Sequence, residues 1–124
     1  MKITKEDVLS IYKILTNETG GTVGIRDEGL LLSALEAPYQ TFAGIELFPT
    51  LIEKTVRMGY GLVANHPFID GNKRIGILVM LTFFELNGIE LNFTDEEIID
   101  MAMSVASGKY KYEDLLSIVT NKLS

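Results

Sequence analysis

The chain has no cysteine, which excludes disulfides, thiolate zinc sites and cysteine nucleophiles at once. It has a single histidine, which argues against a zinc centre, since zinc takes three or four nitrogen, sulfur or carboxylate ligands. Positive charge is scarce: 11 Lys and Arg stand against 17 Asp and Glu, a net charge of −6. Neither nucleic acid nor an anionic membrane surface is therefore an expected partner, because both need basic surface to neutralise phosphate. Long apolar runs are missing too. The longest, Ile75 to Phe84, is about half of the ~20 residues a membrane-spanning helix requires. The N-terminal MKITKEDVLS carries charge where a signal peptide would have its apolar segment, and no transit-peptide pattern follows. No export is expected, and a cytoplasmic location is permitted. The sequence contains no GxxxxGK[ST], no GxGxxG and no G-x-S-x-G, so a P-loop enzyme, a conventional protein kinase and a serine triad are all unsupported. No internal repeat, low-complexity tract or linker divides it.

What is present is helical periodicity in an ordinary globular composition, 47% apolar over 124 residues. That length suits one domain spanning 1–124. Thr4 with Asp7, followed by Val8, Ile11, Tyr12 and Leu15, predicts a capped helix over about Lys5 to Glu18, ending before Gly20-Gly21. Asp27 is a good N-cap for a short helix carrying Leu30, Leu31, Ala34 and Leu35, which stops ahead of Pro38. Tyr39 to Phe48 turns aromatic and β-prone around Ala43-Gly44, as in a small hairpin. Pro49 and Thr50 start a helix that runs to about Asn65 and ends at Pro67. Asn72 can cap the next, to Leu86, where Asn87-Gly88 provides a left-handed stop; being apolar nearly all round, this helix should be central. Thr94 with Glu97 forms a capping box for a helix to about Ser107, and a last helix runs from Lys109 or Tyr110 to about Lys122. The expected fold is all-α, a bundle of about six helices with one short hairpin.

Chemistry concentrates in one stretch, His66 to Gly76, HPFIDGNKRIG. Pro67 disfavours helix at His66, and Gly71 lowers helix propensity beyond Asp70, so 67–71 reads as a tight loop between two helices. The helix that follows offers unpaired backbone N–H groups and the positive end of its dipole, an anion site. Gly71 permits close approach of a ligand to the backbone, and Arg74 adds a fork of donors suited to phosphate. A nucleotide phosphate chain is the natural guest. An imidazole of unperturbed pKa ~6.5 can accept a proton from a hydroxyl, which makes His66 the candidate general base. An Asp beside phosphates is the usual holder of hydrated Mg2+, which makes Asp70 the candidate metal ligand. Asn72 can bond phosphate oxygens or cap the helix, and Lys73 and Arg74 can neutralise charge in phosphoryl or nucleotidyl transfer. Taken singly, each has a plain structural role: dipole partner, N-cap, solvated surface. Together, around two backbone breakers, they exceed what a helix-helix connection needs and favour catalysis.

These residues resemble the signature loop of the Fic/Doc superfamily, HxFx[DE]GNGRxxR in its AMP-transferring branch and HxFx[DN][AG]NKR in the death-on-curing branch. The likeness extends to GGTVGIRDEGLLLSALEAP, to ELFPTLIEKTVRMGYGLVANHPF and to NGIELNFTDEEIIDMAMSVASG. It implies an all-α bundle with the loop between two central helices. Two departures point to the death-on-curing branch: Lys73 stands where the AMP-transferring pattern has glycine, and Ile77 where that pattern has its second arginine. A lysine crowds a diphosphate, and the missing arginine removes a clamp on the outer phosphates. The resemblance then implies a toxin that transfers the γ-phosphate of ATP, with Mg2+, to a threonine or serine hydroxyl of a translation factor of the elongation factor Tu type. It implies His66 as base, Asp70 as Mg2+ ligand and Gly71, Asn72, Lys73 and Arg74 around the phosphates. It places the 39–48 segment where the family has a flap that aligns the target by backbone pairing. The inhibitory pattern [ST]xxxE[GN] of many Fic proteins is absent, so the implied brake is a Phd-like antitoxin acting in trans. The competing expectations are a Fic-type AMP or other nucleotidyl transferase, and a non-catalytic nucleotide- or peptide-binding module.

Overall fold

Four helix starts are explained by a residue that receives an otherwise unpaired N–H group of the first turn. In a computed structural model, which describes residues 3–19, 24–67 and 73–123, Thr4 Oγ1 accepts the Asp7 N–H at 3.2 Å ahead of α1 (Lys5–Thr19). The Asp27 side chain accepts from Leu30 N at 3.0 Å and caps α2 (Glu28–Glu36). A 3-10 turn, Ala37–Tyr39, follows, so Pro38 tightens the chain after α2 rather than merely ending it. Strands β1 (Thr41–Phe42) and β2 (Ile45–Glu46) pair antiparallel, with Thr41 opposite Glu46 and Phe42 opposite Ile45.

Thr50 and Glu53 then form a reciprocal capping box at the head of α3 (Leu51–Ala64), and Thr94 and Glu97 form another at the head of α5 (Asp95–Ala106). The Glu97 carboxyl is held below the usual carboxylate range, first by the Thr94 backbone N–H and then by Lys122. Between these helices lies α4 (Lys73–Leu86). It ends at a left-handed Gly88, as the Asn87-Gly88 pair predicted. The expected cap of α4, Asn72, and the expected break at Gly20-Gly21 lie outside the described residues. The last helix departs from expectation. It begins at Tyr112 rather than Lys109 or Tyr110 and runs to Leu123 as α6. After the left-handed Gly108, the Tyr110 N–H turns back to the Ser104 carbonyl at 2.9 Å. The Asp114 side chain then accepts the Lys111 N–H at 2.8 Å, which sets the helix start beyond it.

The core explains why α4 is apolar nearly all round. One cluster joins α1 and α2 to α3 and α4 through Tyr12, Leu31, Met58, Leu62, Ile75 and Val79. A second joins α3 and α4 to α5 and α6 through Val56, Ile77, Phe84, Met101, Leu115 and Val119. The central pair α3 and α4 thus presents apolar side chains to both clusters, and each fully buried aliphatic or aromatic side chain contributes about 1.5 to 3 kcal/mol of transfer free energy. The pair can pack closely because small residues lie at the crossing. A Cβ on Gly59 would stand 2.7 Å from Met80, and one on Gly76 would stand 2.7 Å from Val63 Cγ2 and 3.1 Å from the Val63 nitrogen. The α6 helix is tied to the head of α3 by the Tyr112 hydroxyl, which donates to the Glu53 carbonyl at 3.3 Å. Burial, and then the charges of Glu53 and Glu113, push that phenol up to about 12, so it stays a donor at neutral pH. Among the described residues, no helix is long and apolar enough to cross a membrane. Among the described residues the architecture is the expected all-α bundle, with six α-helices and one small hairpin.

Candidate active site

The contact of Gly76 with Val63 brings the end of α3 against the beginning of α4. His66 lies three residues beyond Val63, and Lys73 three residues before Gly76. With the end of α3 and the start of α4 meeting at this one crossing, His66, Lys73 and Arg74 belong to the same end of the central pair. Asp70, Gly71 and Asn72 lie outside the described residues. Of the side chains singled out in the sequence, His66 and Arg74 are partly buried and Lys73 is exposed.

The first turn of α4 differs from that of every other helix. An acidic residue stands in the first turn of α1 (Glu6, Asp7), α2 (Glu28), α3 (Glu53), α5 (Asp95, Glu96, Glu97) and α6 (Glu113, Asp114). That is what the positive pole of a helix dipole favours. The α4 helix has no acid there and carries Lys73 and Arg74 instead. Two cations at a positive helix pole are unfavourable by themselves and become favourable when an anion sits between them and the backbone N–H groups.

The other side of the site is the end of α3. Asn65 is its last residue of helical conformation (φ −80°, ψ −22°), its N–H donating to the Gly61 carbonyl. His66 then turns left-handed, with φ of 53°. Among the described residues only Ala43 and His66 have a positive φ without being glycine. A left-handed residue after the C-cap is a common helix stop, but it is usually glycine, since a Cβ there costs about 1 to 2 kcal/mol. Pro67 adds a second constraint, because the residue before a proline is itself restricted.

This end is held by a segment distant in sequence. Arg26 Nε and Nη2 donate to the His66 carbonyl at 2.9 and 2.6 Å, and Nη2 also reaches the Asn65 carbonyl at 3.4 Å. The backbone N–H groups of Arg26 and Asp27 both donate to the Pro67 carbonyl, at 2.6 and 3.1 Å. Asn65 returns the tie by donating its side-chain amide to the Leu30 carbonyl at 3.1 Å. The segment is itself anchored, since the hydroxyl of the buried Tyr12 donates to the Gly24 carbonyl at 3.3 Å.

A small hairpin precedes the head of α3. Ala43 (φ 52°) and Gly44 (φ 81°) form its two-residue turn, in which both positions are left-handed as the twist of a tight hairpin demands. Phe42 and Ile45 face each other across it at 75% and 71% exposure, an apolar pair displayed to solvent. Its root is fixed by Lys54, a buried lysine on α3 whose ammonium donates to Glu46 Oε1 at 2.8 Å and to the Phe48 carbonyl. That ammonium also lies 5.7 Å from the ring centre of Tyr39.

Neither Arg26 nor Lys54 was singled out from the sequence. Arg26 carried no signal beyond its place before the cap residue Asp27. Lys54 carried one: a cation between Ile52, Thr55 and Val56 on a helix with a strong apolar face needs an oxygen ligand nearby if it is buried.

Comparison with known proteins converges on one family. A sequence model described as the Fic/DOC family matches residues 2–84. The protein called Toxin Doc of Mycolicibacterium smegmatis is 34% identical over 107 residues, covering 85% of this chain and 80% of that protein. The family match takes in the hairpin, α3, the loop and nearly all of α4, the parts from which the site is built. On that match and that relative, the chain belongs to the Fic/DOC family.

Proposed function

We propose that this protein is the toxin of a toxin-antitoxin pair and acts as a phosphotransferase, moving the γ-phosphate of ATP to a threonine or serine hydroxyl of a translation factor of the elongation factor Tu type. The observation that carries the transfer chemistry is the reversed charge at the head of α4, Lys73 and Arg74 in place of the acids found in the first turn of every other α-helix, at the end of the central pair that carries His66. Two features favour phosphate over AMP as the group moved. Lys73 is exposed at the first position of α4, where its ammonium can meet the transferred phosphate. Ile77 is fully buried in the core with Val56, Val63 and Phe84, so that position offers no second cation to hold an extended phosphate chain. The toxin reading draws on the relative named Toxin Doc.

In this reading His66 takes the proton from the target hydroxyl, a contribution of about 10²- to 10⁴-fold for a positioned base. Asn72, Lys73 and Arg74 orient the phosphates, with Gly71 allowing their close approach to the α4 N–H groups. Asp70 is the residue that would hold Mg2+. Among the described residues no group of three or more His, Asp or Glu is placed to hold a metal. One carboxylate supplemented by phosphate oxygens and water suits Mg2+, which dehydrates reluctantly. Bound Mg2+ and ATP supply the phosphoryl group and the counter-charge for its transfer. The hairpin, with its apolar pair exposed, would align the target segment by strand addition. Restraint comes from a Phd-like antitoxin in trans, since the chain lacks an inhibitory motif of its own.

Mass spectrometry of an elongation factor incubated with the protein, ATP and Mg2+ tests this reading. A phosphate-sized adduct that His66→Ala reduces about 10²-fold or more is expected. An AMP-sized adduct would make the protein a nucleotidyl transferase instead. Growth arrest that persists in both His66→Ala and Asp70→Ala would make it a binding module.

A further inference from the structure

We propose that Arg26 is a positioning residue for His66, setting the direction of the imidazole through the backbone rather than by touching it. The proposal rests on His66 being the base in the function proposed above.

The reason lies in how α3 ends. When a helix stops at a left-handed residue, the next residue ordinarily donates its N–H back to a carbonyl of the last turn and locks the stop. Here the left-handed residue is His66 and the next is Pro67, which has no N–H to give. That bond is chemically unavailable here. The guanidinium of Arg26 supplies donors to this end instead, and it does so at two successive peptide groups. The Asn65 carbonyl belongs to the peptide plane before the His66 Cα, and the His66 carbonyl to the plane after it. One rigid, planar cation contacts both oxygens. With the planes on either side held, the φ and ψ of His66 are fixed and so is its Cα–Cβ bond. The Pro67 carbonyl, held by the Arg26 and Asp27 N–H groups, closes the next step of the chain. A left-handed conformation that glycine would adopt freely is thereby imposed on the one histidine of the sequence.

That single histidine also makes the test direct, since its imidazole and Cα signals need no assignment among rivals. The full chain labelled with 13C,15N-histidine is compared as wild type, Arg26→Lys, Arg26→Gln and Arg26→Ala, by NMR and by transfer kinetics, with circular dichroism confirming that each is folded. The expected result is a shift of the His66 Cα and ring resonances in Arg26→Ala and Arg26→Gln. A fall in kcat on the order of 10- to 100-fold should accompany it, the usual cost of a misplaced catalytic group, with KM for ATP unchanged. Arg26→Lys, which keeps the charge but loses the fork, should fall between, and millimolar methylguanidinium should restore part of the activity of Arg26→Ala. Unchanged His66 resonances in folded Arg26→Ala would overturn the proposal, as would shifted resonances with unchanged kcat. Should the wild type transfer no group at all, the proposed function fails, while the resonances still decide whether Arg26 sets the His66 backbone.

Discussion

The two ends of α3 are built in opposite ways. At its head, Thr50 Oγ1 accepts the Glu53 N–H at 3.1 Å, and Glu53 Oε1 accepts the Thr50 N–H at 3.2 Å and the Thr50 hydroxyl at 2.7 Å. Four consecutive residues in relaxed conformations close that end by themselves. At its foot, a left-handed histidine is followed by a proline, and the carbonyls there accept from Arg26 and Asp27, some forty residues earlier in the chain. The local closure stabilises a helix. The long-range closure holds a strained backbone where the candidate chemistry lies, as is common for residues whose conformation is dictated by function. If this contrast is right, substitutions at the foot should lower transfer beyond any loss of folded protein, and those at the head should lower stability alone.

The largest effect on stability should come from where the foot of α3 meets α4. Gly76→Ala places a methyl group 2.7 Å from Val63 Cγ2 and 3.1 Å from the Val63 backbone nitrogen, and backbone cannot step aside as a side-chain tip can. Overpacking of this kind costs about 1 to 3 kcal/mol, read as a lowered midpoint in urea denaturation. Transfer should fall further than the loss of folded protein explains, because the substitution pushes His66 away from Lys73 and Arg74. An unchanged midpoint would mean that the two helices are not in contact there.

Next in size is the head of α3. Thr50→Ala removes the cap and half of the reciprocal box and should cost about 1 kcal/mol, while transfer per folded molecule stays at the wild-type rate. A loss of transfer equal to that of Arg26→Ala would erase the distinction between the two ends.

The same distinction governs what could be read from the sequence. Thr4 with Asp7, Asp27, Thr50 and Thr94 with Glu97 announced helix starts because cap and capped N–H lie three residues apart, and all four caps are formed. The apolar character of Ile75 to Phe84 nearly all round announced a central helix, because α4 must bury side chains on both clusters. The start of α6 was misplaced, since the left-handed Gly108 and the return of Tyr110 to Ser104 are choices of loop geometry that periodicity does not record. Within the site, the residue types of HPFIDGNKR could be read as chemistry. What holds them could not. Arg26 meets His66 only after α1 and α2 have packed on α3, and Lys54 finds Glu46 and Phe48 only after the hairpin has turned at Ala43-Gly44.

The smallest effect is the most specific to the foot of α3. Both His66→Ala and His66→Gly remove the imidazole, and both should lower transfer about 10²-fold or more. They differ in the backbone. Alanine keeps the Cβ that makes a φ of 53° unfavourable, whereas glycine adopts it freely. Glycine also widens the unfolded ensemble, which offsets part of the gain, and the net expectation is that His66→Gly is more stable than His66→Ala by about 1 kcal/mol or somewhat less. Chemical denaturation of the two variants side by side measures this without any assay of transfer. Equal stabilities would mean that the strain at His66 is no larger than the entropy glycine adds to the unfolded ensemble, and the tie from Arg26 would then merely join two segments. A more stable glycine variant would mean that the fold maintains a strained histidine at this position and that the strain persists because Arg26 holds the peptide groups on both sides of it.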